Sequence, residues 1–469
     1  MSSRKPGQIH LWISLLIAFS LGLLFLAGCG GQPVTPVQDT PSAPPSPPPA
    51  SDPATLKSSI NHIVIMVQEN RSFDSYFGNL SAYWKANGLP NQALEGLSAG
   101  ASNPMENGTG TISSFHLRTV CTENTPPGWN DSHLDFNLMD PTSDTATMDG
   151  FVVSTEIFSK NPGPGQPPIF DLPGYRTMGY YDGSDLNYYY FMASNFATSD
   201  QWFSPVMDRT QVNRLYLLAG TSAGHANPPT APLANNTIFG LLQTAGISWK
   251  VYETDPGTAF LGNFQPFADQ HLAQIQPLSQ YYSDLSGGTL PAVAMIEPGY
   301  VSQLDEHPET NIQMGEAHVE EVISALMQSA YWKDTVFILT FDEAGGFYDH
   351  VPPQPAVSPD GILPMDLNPG DVCTVAQGPD CDFNHTGFRV PLIVISPFTK
   401  KNYVSHTVAD STAMLKLIET RFQLPSLTKR DAAQMDMTEF FDFKNPPWKT
   451  PPRPPAQNTS GLCDLKAVP

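Results

Sequence analysis

The amino-acid sequence predicts an α/β fold in which a mostly parallel central sheet is covered by helices on both faces. Short, continuous runs of apolar and β-branched residues recur along the chain, as in strands that are buried on both faces of a sheet. Segments with apolar residues at helical spacing separate these runs. This alternation is typical of parallel sheets, because each return to the same edge of the sheet requires a crossover.

The expected elements can be given in chain order. The runs that predict strands are residues 60–67, 248–252, 292–296, 335–341 and 390–395. The segments that predict helices are residues 184–196, 212–219, 318–332 and 411–422. Two stretches rich in Pro, Gly and Asn predict long, ordered loop excursions, at residues 80–114 and 358–384.

The N-terminus has the features of a bacterial export signal. Two basic residues precede an apolar run that is short for a membrane span and ends in small residues. The ending Leu-Ala-Gly-Cys resembles a lipoprotein signal, in which residues 1–28 are removed and Cys29 is lipidated. An ordinary signal peptide or an uncleaved anchor is the alternative. We expect an exported protein that is lipid-anchored in the cell envelope, at the outer membrane or cell surface.

Composition divides the remaining chain into a tether, a folded domain and a tail. Residues 29–54 are rich in Pro, Ser, Ala and Thr, a composition with little to bury and a preference for extended backbone. Residues 55–443 have a mixed composition without a second linker, as expected of the folded domain. Residues 444–469 are again Pro-rich and predict a tail that lies along the surface.

Charge and cysteine content narrow the class of protein. The formal net charge of -22 disfavours general binding to nucleic acid. Charged residues make up only 14% of the chain, which favours a folded enzyme over a disordered protein. The four cysteines after Cys29 favour disulfides in an oxidising compartment. Cys373 and Cys381 flank a short loop and could pair, which would leave Cys121 for Cys463, but the sequence leaves the pairing open.

Polar residues directly follow two of the expected strands. Glu69 and Asn70 come after the first strand, and Asp342 and Glu343 come after residues 335–341. Ligands of such sheets bind beyond the carboxyl ends of the strands, so these side chains could meet at one edge. Converging carboxylate and amide oxygens suit a divalent cation. A helix cap or an exposed strand end would explain either pair alone, but a metal site explains both pairs together.

Thr210 stands just before an expected helix. Backbone N–H groups and the helix dipole at such a position favour an incoming phosphate. The hydroxyl could also simply cap the helix. A threonine hydroxyl bound to a metal ion, however, could ionise and attack phosphorus.

Four motifs together resemble one family of enzymes. They are Glu-Asn-Arg-Ser-Phe-Asp from Glu69, Thr-x-x-Asn-Arg from Thr210, Asp-Glu-His-Pro from Asp305, and Asp-Glu-x-Gly-Gly-Phe-x-Asp-His-Val from Asp342. The set is similar to the bacterial and plant non-specific phospholipase C and acid phosphatase family, within the alkaline phosphatase superfamily. The resemblance spans about residues 60–424 and implies an alkaline phosphatase-like sandwich.

The resemblance also implies roles for individual residues. One divalent metal ion, of unknown identity among Ca, Mg, Mn, Zn and Fe, would be bound by Glu69, Asn70, Thr210, Asp342 and Glu343. Thr210 would also be the nucleophile and form a phosphothreonine intermediate. His133 and His307 would bind phosphate oxygens or protonate the leaving group. Support of the metal or contact with the substrate is expected from His350, Asn213, Arg214 and His225.

Two positions depart from the family pattern. Val212 stands where the family commonly has Pro, a change that should matter little because that Pro mainly presets the start of a helix. Ser411 stands where the family often has His, which puts the contribution of that histidine in doubt. His406 is a nearby residue that could compensate.

The favoured function is therefore phospholipase C-type hydrolysis of phospholipid phosphodiesters by a metal-dependent catalytic domain at residues 55–443. An acid phosphatase acting on phosphomonoesters is the alternative within the same chemistry, because the motifs do not separate the two. A non-catalytic surface-binding lipoprotein is the alternative from another class, disfavoured by the complete set of site residues. The expected partner is a phospholipid or a small phosphoester, and the oligomeric state stays open.

Overall fold

The structure is a computed structural model that describes residues 53–163, 167–374 and 378–468. The predictions for the signal at residues 1–28, for lipidation of Cys29 and for nearly all of the tether lie outside these residues. Within the described ranges, no helix has both the length and the apolar character needed to cross a membrane.

The described residues form fourteen strands, thirteen α-helices and five 3-10 turns. The strands are β1 (His62–Gln68), β2 (Ser102–Pro104), β3 (Thr111–Ser113), β4 (Phe115–His116), β5 (Gly179–Tyr180), β6 (Ala197–Ser199), β7 (Trp202–Phe203), β8 (Trp249–Glu253), β9 (Ile275–Pro277), β10 (Val293–Glu297), β11 (Thr335–Phe341), β12 (Leu392–Ile395), β13 (Tyr403–Ser405) and β14 (Ala409–Asp410). The helices are α1 (Pro53–Ser59), α2 (Phe73–Phe77), α3 (Leu80–Ala86), α4 (Trp129–Phe136), α5 (Phe151–Lys160), α6 (Asn187–Asn195), α7 (Thr210–Ala219), α8 (Ile238–Thr244), α9 (Phe267–Gln270), α10 (Leu278–Gly287), α11 (Ile312–Gln328), α12 (Ala413–Phe422) and α13 (Lys429–Ala432). The 3-10 turns are Tyr175–Met178, Phe260–Asn263, Leu272–Gln274, Trp332–Asp334 and Thr438–Phe440.

Eight of the strands form one central sheet, in the order β13-β6-β12-β11-β1-β10-β8-β9. The five strands from β11 to β9 all run parallel. β12 runs antiparallel to both of its neighbours, β11 and β6. The described residues between β11 and β12 form no helix that could return the chain to the edge of the sheet where β11 begins. β12 therefore starts at the edge where β11 ends. The predicted α/β fold with a mostly parallel sheet is confirmed.

Burial explains why the predicted strands form. All seven residues of β11 and six of the seven in β1 are buried, so successive side chains are covered on both faces of the sheet. The helices fall into two groups: α6 and α10 pack on α11, whereas α1 and α7 pack on α12, with α8 on α7. All five predicted strands are confirmed, with starts up to two residues late. The sequence did not predict β6, β9 and β13, because three residues are too few to show a pattern.

The start of one helix and the nature of one predicted loop also differ from the prediction. Helix α11 starts at Ile312 instead of residue 318, because the side chain of Asn311 caps it by accepting a hydrogen bond from Gln313 N. Residues 80–114 are not one loop, since they contain α3 and the hairpin of β2 and β3. Leu80 and Trp84, four residues apart, anchor α3 in the core.

Two disulfides tie down segments outside the sheet. Cys121 bonds Cys463 with a Cα–Cα distance of 4.9 Å, and Cys373 bonds Cys381 with a distance of 5.3 Å. The first bond fixes the C-terminal tail, which also donates a hydrogen bond from Gly461 N to the Gln313 side chain at 2.9 Å. The pairing that the sequence left open is therefore settled in the structure.

We expect the two disulfides to contribute unequally to stability. The Cys121–Cys463 bond closes a separation of 342 residues and the Cys373–Cys381 bond one of 8. In the chain-entropy model, the longer loop gives about 3 kcal/mol more stabilisation. Guanidinium unfolding of Cys121→Ser/Cys463→Ser should show a larger loss of free energy of unfolding than Cys373→Ser/Cys381→Ser. Equal losses would show that loop length does not govern the effect.

Candidate active site

The predicted convergence of polar residues occurs at the carboxyl edge of β1 and β11. These strands pair in parallel with Gln68 opposite Phe341, so the residues that follow them emerge side by side. Asn70 turns the chain with a φ of 58°, and its backbone N donates to Asp342 Oδ1 at 3.1 Å. Gly345 packs against Asn70 so closely that an added Cβ would lie 2.5 Å from the Asn70 carbonyl oxygen.

Helix α7 brings Thr210 to the same place. Its hydroxyl Oγ1 donates to Glu69 Oε2 at 2.9 Å and lies 3.2 Å from Asn70 Oδ1. The side chain of Asn213 holds the segment before Thr210, because it accepts from Val206 N and donates to the Asp208 carbonyl. Asn213 therefore positions the helix start, and its side chain is fully buried away from any substrate.

The oxygen atoms at this edge fit a bound cation. The Asn70 side-chain oxygen faces only acceptors, and turning the amide would place its nitrogen 2.8 Å from Glu343 Oε1 and 3.1 Å from Glu69 Oε2. Asp342 Oδ2 is buried without a hydrogen-bond partner. Acceptors packed together in this way repel one another unless a positive group lies between them. A divalent ion would keep the amide oxygen directed inward.

The pKa shifts of the buried carboxyl groups also fit a bound cation. Burial, and after it the charge of Glu69, raises the pKa of Asp342 above its ordinary value. Burial, and after it the charge of Asp342, raises the pKa of Glu343. Carboxylates that resist ionisation when packed together are relieved by a divalent cation.

Arg214 is the buried counter-ion of the cluster. Its guanidinium lies 2.6 Å from Glu69 Oε1, 3.2 Å from Glu297 Oε2 and 3.6 Å from Asp342 Oδ2. Its side chain is only 3% exposed. Arg214 therefore stabilises the buried carboxylates by its charge. It is too deeply buried to contact a substrate directly.

His307 completes the cluster from the loop after β10. Its Nδ1 lies 2.6 Å from Asp305 Oδ2 and its Nε2 lies 3.3 Å from Glu69 Oε2, with 36% of the side chain exposed. Burial lowers the pKa of His307, but the charges of Glu69 and Asp305 outweigh it and raise the pKa to about 9. A bound cation would weaken that rise because it compensates Glu69. Sequence reasoning assigned no role to Asp305, although its position two residues before His307 was a usable signal.

The structure does not bring His133 into the cluster. The ring is fully buried, with Nδ1 2.6 Å from the Trp129 carbonyl and Nε2 3.0 Å from the Pro379 carbonyl. Burial lowers its pKa to about 4. Both ring nitrogens are engaged by backbone, so the role predicted for His133 is corrected to a structural one that joins α4 to the segment at Pro379.

Two further predicted histidines hold loops in place. His225 Nδ1 lies 2.8 Å from Asp366 Oδ2, which ties the segment after α7 to the long loop at residues 358–384. His350 Nδ1 lies 2.6 Å from Asp74 Oδ2, beside Arg389. Neither histidine lines the pocket at Thr210.

Ser411 is one of the two positions that depart from the family pattern. It is buried, and its hydroxyl has no hydrogen-bond partner. His406 pairs with Asp200 at 2.8 Å and does not line the pocket at Thr210, so it does not compensate there.

Two other groups of potential metal ligands occur in the described ranges. One is Asp74, Asp349 and His350, and the other is His116, Asp182 and Asp185. In the first, the guanidinium of Arg389 already lies 3.0 Å from Asp74 and 2.8 Å from Asp349, where a cation would bind. The second group lies on the surface, and His116 there pairs with Asp185 at 2.6 Å.

A pocket of about 290 Å³ opens onto Thr210, Asn70 and His307. It is also lined by Asn124, Pro126, Pro127, Gly128, Asp131, Phe158, Arg209 and Gln211. A threonine hydroxyl at a helix N-terminus, the Asn70 amide and an exposed histidine thus share one cavity, and the buried Glu69 contacts Thr210. This arrangement suits transfer of a phosphoryl group.

Comparison with known proteins gives the family. The family model described as "Phosphoesterase family" matches residues 60–425. The chain belongs to the phosphoesterase family. This phosphoesterase is 31% identical to phospholipase C B of Mycobacterium tuberculosis over 445 residues, which cover 83% of this chain and 79% of the relative. It is 30% identical to non-specific phospholipase C4 of Arabidopsis thaliana, over 80% of this chain and 70% of the relative.

The family and the enzyme class predicted from the motifs are therefore confirmed. The phosphoesterase is a hydrolase of phosphoric esters. Among solved structures, it is similar to a protein in the alkaline phosphatase superfamily from Vibrio parahaemolyticus, with a TM-score of 0.32 and 12% identity over 76% of this chain and 78% of the other. A score this low carries no argument about the fold, which rests on the strand pairing of the central sheet.

We expect His133→Gln to change acid stability and to leave hydrolysis nearly unchanged. Because burial lowers the folded-state pKa of His133 to about 4, the unfolded chain binds this proton first as pH falls. The contribution of His133 to stability is thus complete above about pH 6.5 and is lost between there and about pH 4, by about 3 kcal/mol.

The measurement is the free energy of unfolding of wild type and His133→Gln at pH 7 and pH 4.5, together with hydrolysis of p-nitrophenyl phosphate. The variant should lose less stability on acidification than wild type. A 1,000-fold loss of turnover in a folded variant would return His133 to the catalytic residues.

Proposed function

We propose that this phosphoesterase is a metal-dependent, phospholipase C-type hydrolase that cleaves phospholipid phosphodiesters through a phosphothreonine intermediate. The observation that carries the proposal is the contact of Thr210 Oγ1 with Glu69 at 2.9 Å, inside a cluster of buried oxygen ligands at a helix N-terminus. The relatives named phospholipase C support a lipid substrate.

The ion would be held by the carboxylates of Glu69, Asp342 and Glu343 together with the oxygens of Asn70 and Thr210. When bound, a divalent ion supplies positive charge that favours ionisation of the threonine hydroxyl and offsets the charge on the phosphoryl group. Arg214 keeps two of these carboxylates in place from below, because it contacts both Glu69 and Asp342.

Thr210 Oγ1 gives up its proton to solvent and attacks phosphorus, and the bond from phosphorus to the diacylglycerol oxygen breaks as the new bond forms. His307 in its protonated form, oriented by Asp305, gives the leaving oxygen its proton from Nε2. The neutral imidazole then takes a proton from a water molecule that attacks the phosphothreonine. This step releases the phosphorylated head group, and the Thr210 oxygen takes back a proton from solvent to regenerate its hydroxyl.

An acid phosphatase acting on phosphomonoesters is the second candidate. One observation favours it: two cationic side chains, His307 and Arg209, line a pocket of about 290 Å³, which suits a small dianionic phosphate. The two candidates share the same nucleophile and differ only in the group attached to phosphorus.

Initial rates on three substrates separate the candidates. They are p-nitrophenyl phosphate, p-nitrophenyl phosphocholine and phosphatidylcholine in mixed micelles, each with and without EDTA. Chelator-sensitive release of diacylglycerol supports the phospholipase C proposal. Hydrolysis of the monoester alone would select the phosphatase, and hydrolysis of none of the three would overturn both.

Replacing the nucleophile should abolish turnover without unfolding the protein. Thr210→Ala should lower kcat by about 1,000-fold or more, because no other hydroxyl of the described residues contacts both Glu69 and Asn70. Thr210→Ser is the matched control and should keep kcat within about tenfold, since it retains the hydroxyl. Near-normal activity of folded Thr210→Ala would disprove the nucleophile assignment.

Removing ligand charge should remove bound metal. Asp342→Asn/Glu343→Gln should lower the metal content after dialysis, measured by elemental analysis, to below about one tenth of the wild-type value. Asp182→Asn/Asp185→Asn removes two carboxylates from the surface group at His116 and should leave the content unchanged. The reverse pattern would place the metal at the surface group.

A further inference from the structure

Arg209 is a cation at the pocket for which the family motifs give no role. It directly precedes Thr210, forms the N-cap of α7 and lines the same pocket as Thr210 and His307. Its side chain is 39% exposed. Its backbone conformation is extended, with φ of -75° and ψ of 173°, so the side chain leaves the helix axis at the point where Thr210 begins the first turn.

The guanidinium of Arg209 packs against the backbone of Gly128, near the carboxylate of Asp131. A Cβ added to Gly128 would lie 2.5 Å from Arg209 Nη2 and 3.1 Å from Asp131 Oδ2. Gly128 is therefore the residue that leaves room for both groups, and the Asp131 carboxylate lies near the guanidinium. Arg209 Nε lies 3.7 Å from Asp208 Oδ1 and is buried without a hydrogen-bond partner.

Three of the fully buried arginines differ from Arg209. Arg176, Arg389 and Arg430 are fully buried, and each donates several hydrogen bonds to carbonyl or carboxylate oxygens. Arg209 instead reaches the pocket with donors left to offer. An unfilled donor capacity beside a nucleophile suits an anionic ligand.

We propose that Arg209 binds the nonbridging oxygens of the phosphoryl group that Thr210 attacks, and that Asp131 positions its guanidinium. The planar guanidinium can donate to two oxygens at once, which a point charge such as the Lys ammonium does not reproduce. This inference rests on the proposed function, since it needs Thr210 to be the residue that attacks phosphorus.

The inference also bears on the substrate class. Coulomb attraction scales with ligand charge, so Arg209 contributes more to binding a dianionic phosphomonoester than a monoanionic phosphodiester. Arg209 brings a permanent positive charge to this pocket, in a chain whose formal net charge is -22. Of the two proposed substrate classes, phosphomonoesters depend more on Arg209.

The test compares Arg209→Ala, Arg209→Lys and the control Arg118→Ala, which removes an exposed arginine that does not line the pocket. Arg209→Ala should lower kcat/KM by about 100-fold on p-nitrophenyl phosphate and by less on p-nitrophenyl phosphocholine. It should also raise the inhibition constant of inorganic phosphate about tenfold. Arg118→Ala should match wild type in all three measurements.

Three further readouts separate a binding role from a structural one. Millimolar guanidinium ion should restore part of the activity of Arg209→Ala, and Arg209→Lys should recover less than tenfold of the loss. Asp131→Asn should raise KM with a smaller effect on kcat. Kinetic constants of Arg209→Ala within threefold of wild type on both esters would overturn the proposal, as would a loss in a destabilised variant that neither guanidinium nor Arg209→Lys relieves.

Failure of the proposed function can be told apart from failure of this inference. If wild type hydrolyses neither ester, calorimetric titration with inorganic phosphate still measures the contribution of Arg209. Binding to wild type that weakens about tenfold in Arg209→Ala, but not in Arg118→Ala, supports the phosphate-binding role without any turnover. Equal binding to all three proteins overturns it.

Discussion

Three carboxyl groups meet at the end of two parallel strands, and one buried arginine lies beside them. The site depends on the excess of carboxyl groups over this single arginine. Glu69, Asp342 and Glu343 are all almost fully buried, and burial makes their ionised forms costly. Arg214 contacts two of them but leaves Asp342 Oδ2 without a hydrogen bond. A further positive charge would therefore lower the energy of the cluster.

The scaffold around this cluster keeps its geometry without using it for chemistry. β1 and β11 set the register, and the loops after them are fixed to each other by close backbone contact at Gly345, whose φ is 68°. Arg389 joins Asp74 to Asp349 behind the same loops. Charged residues that neutralise one another are thus placed behind the site, whereas Asn70, Thr210 and His307 line the pocket.

The pocket has a charge pattern opposite to that of the whole chain. The chain is strongly acidic, yet His307 and Arg209 present positive charge beside Thr210. Positive charge at this position favours an anionic group such as a phosphoryl group.

The buried strands and the residues that follow them could be predicted from residue patterns, because strands covered on both faces need continuous apolar runs and parallel strands end at one edge. The same patterns predicted the meeting of Glu69 with Asp342. The antiparallel direction of β12, the burial of His133 and the approach of Arg209 to Gly128 became visible only in the folded chain. These depend on contacts between segments far apart in the chain, which no local pattern of residue types records.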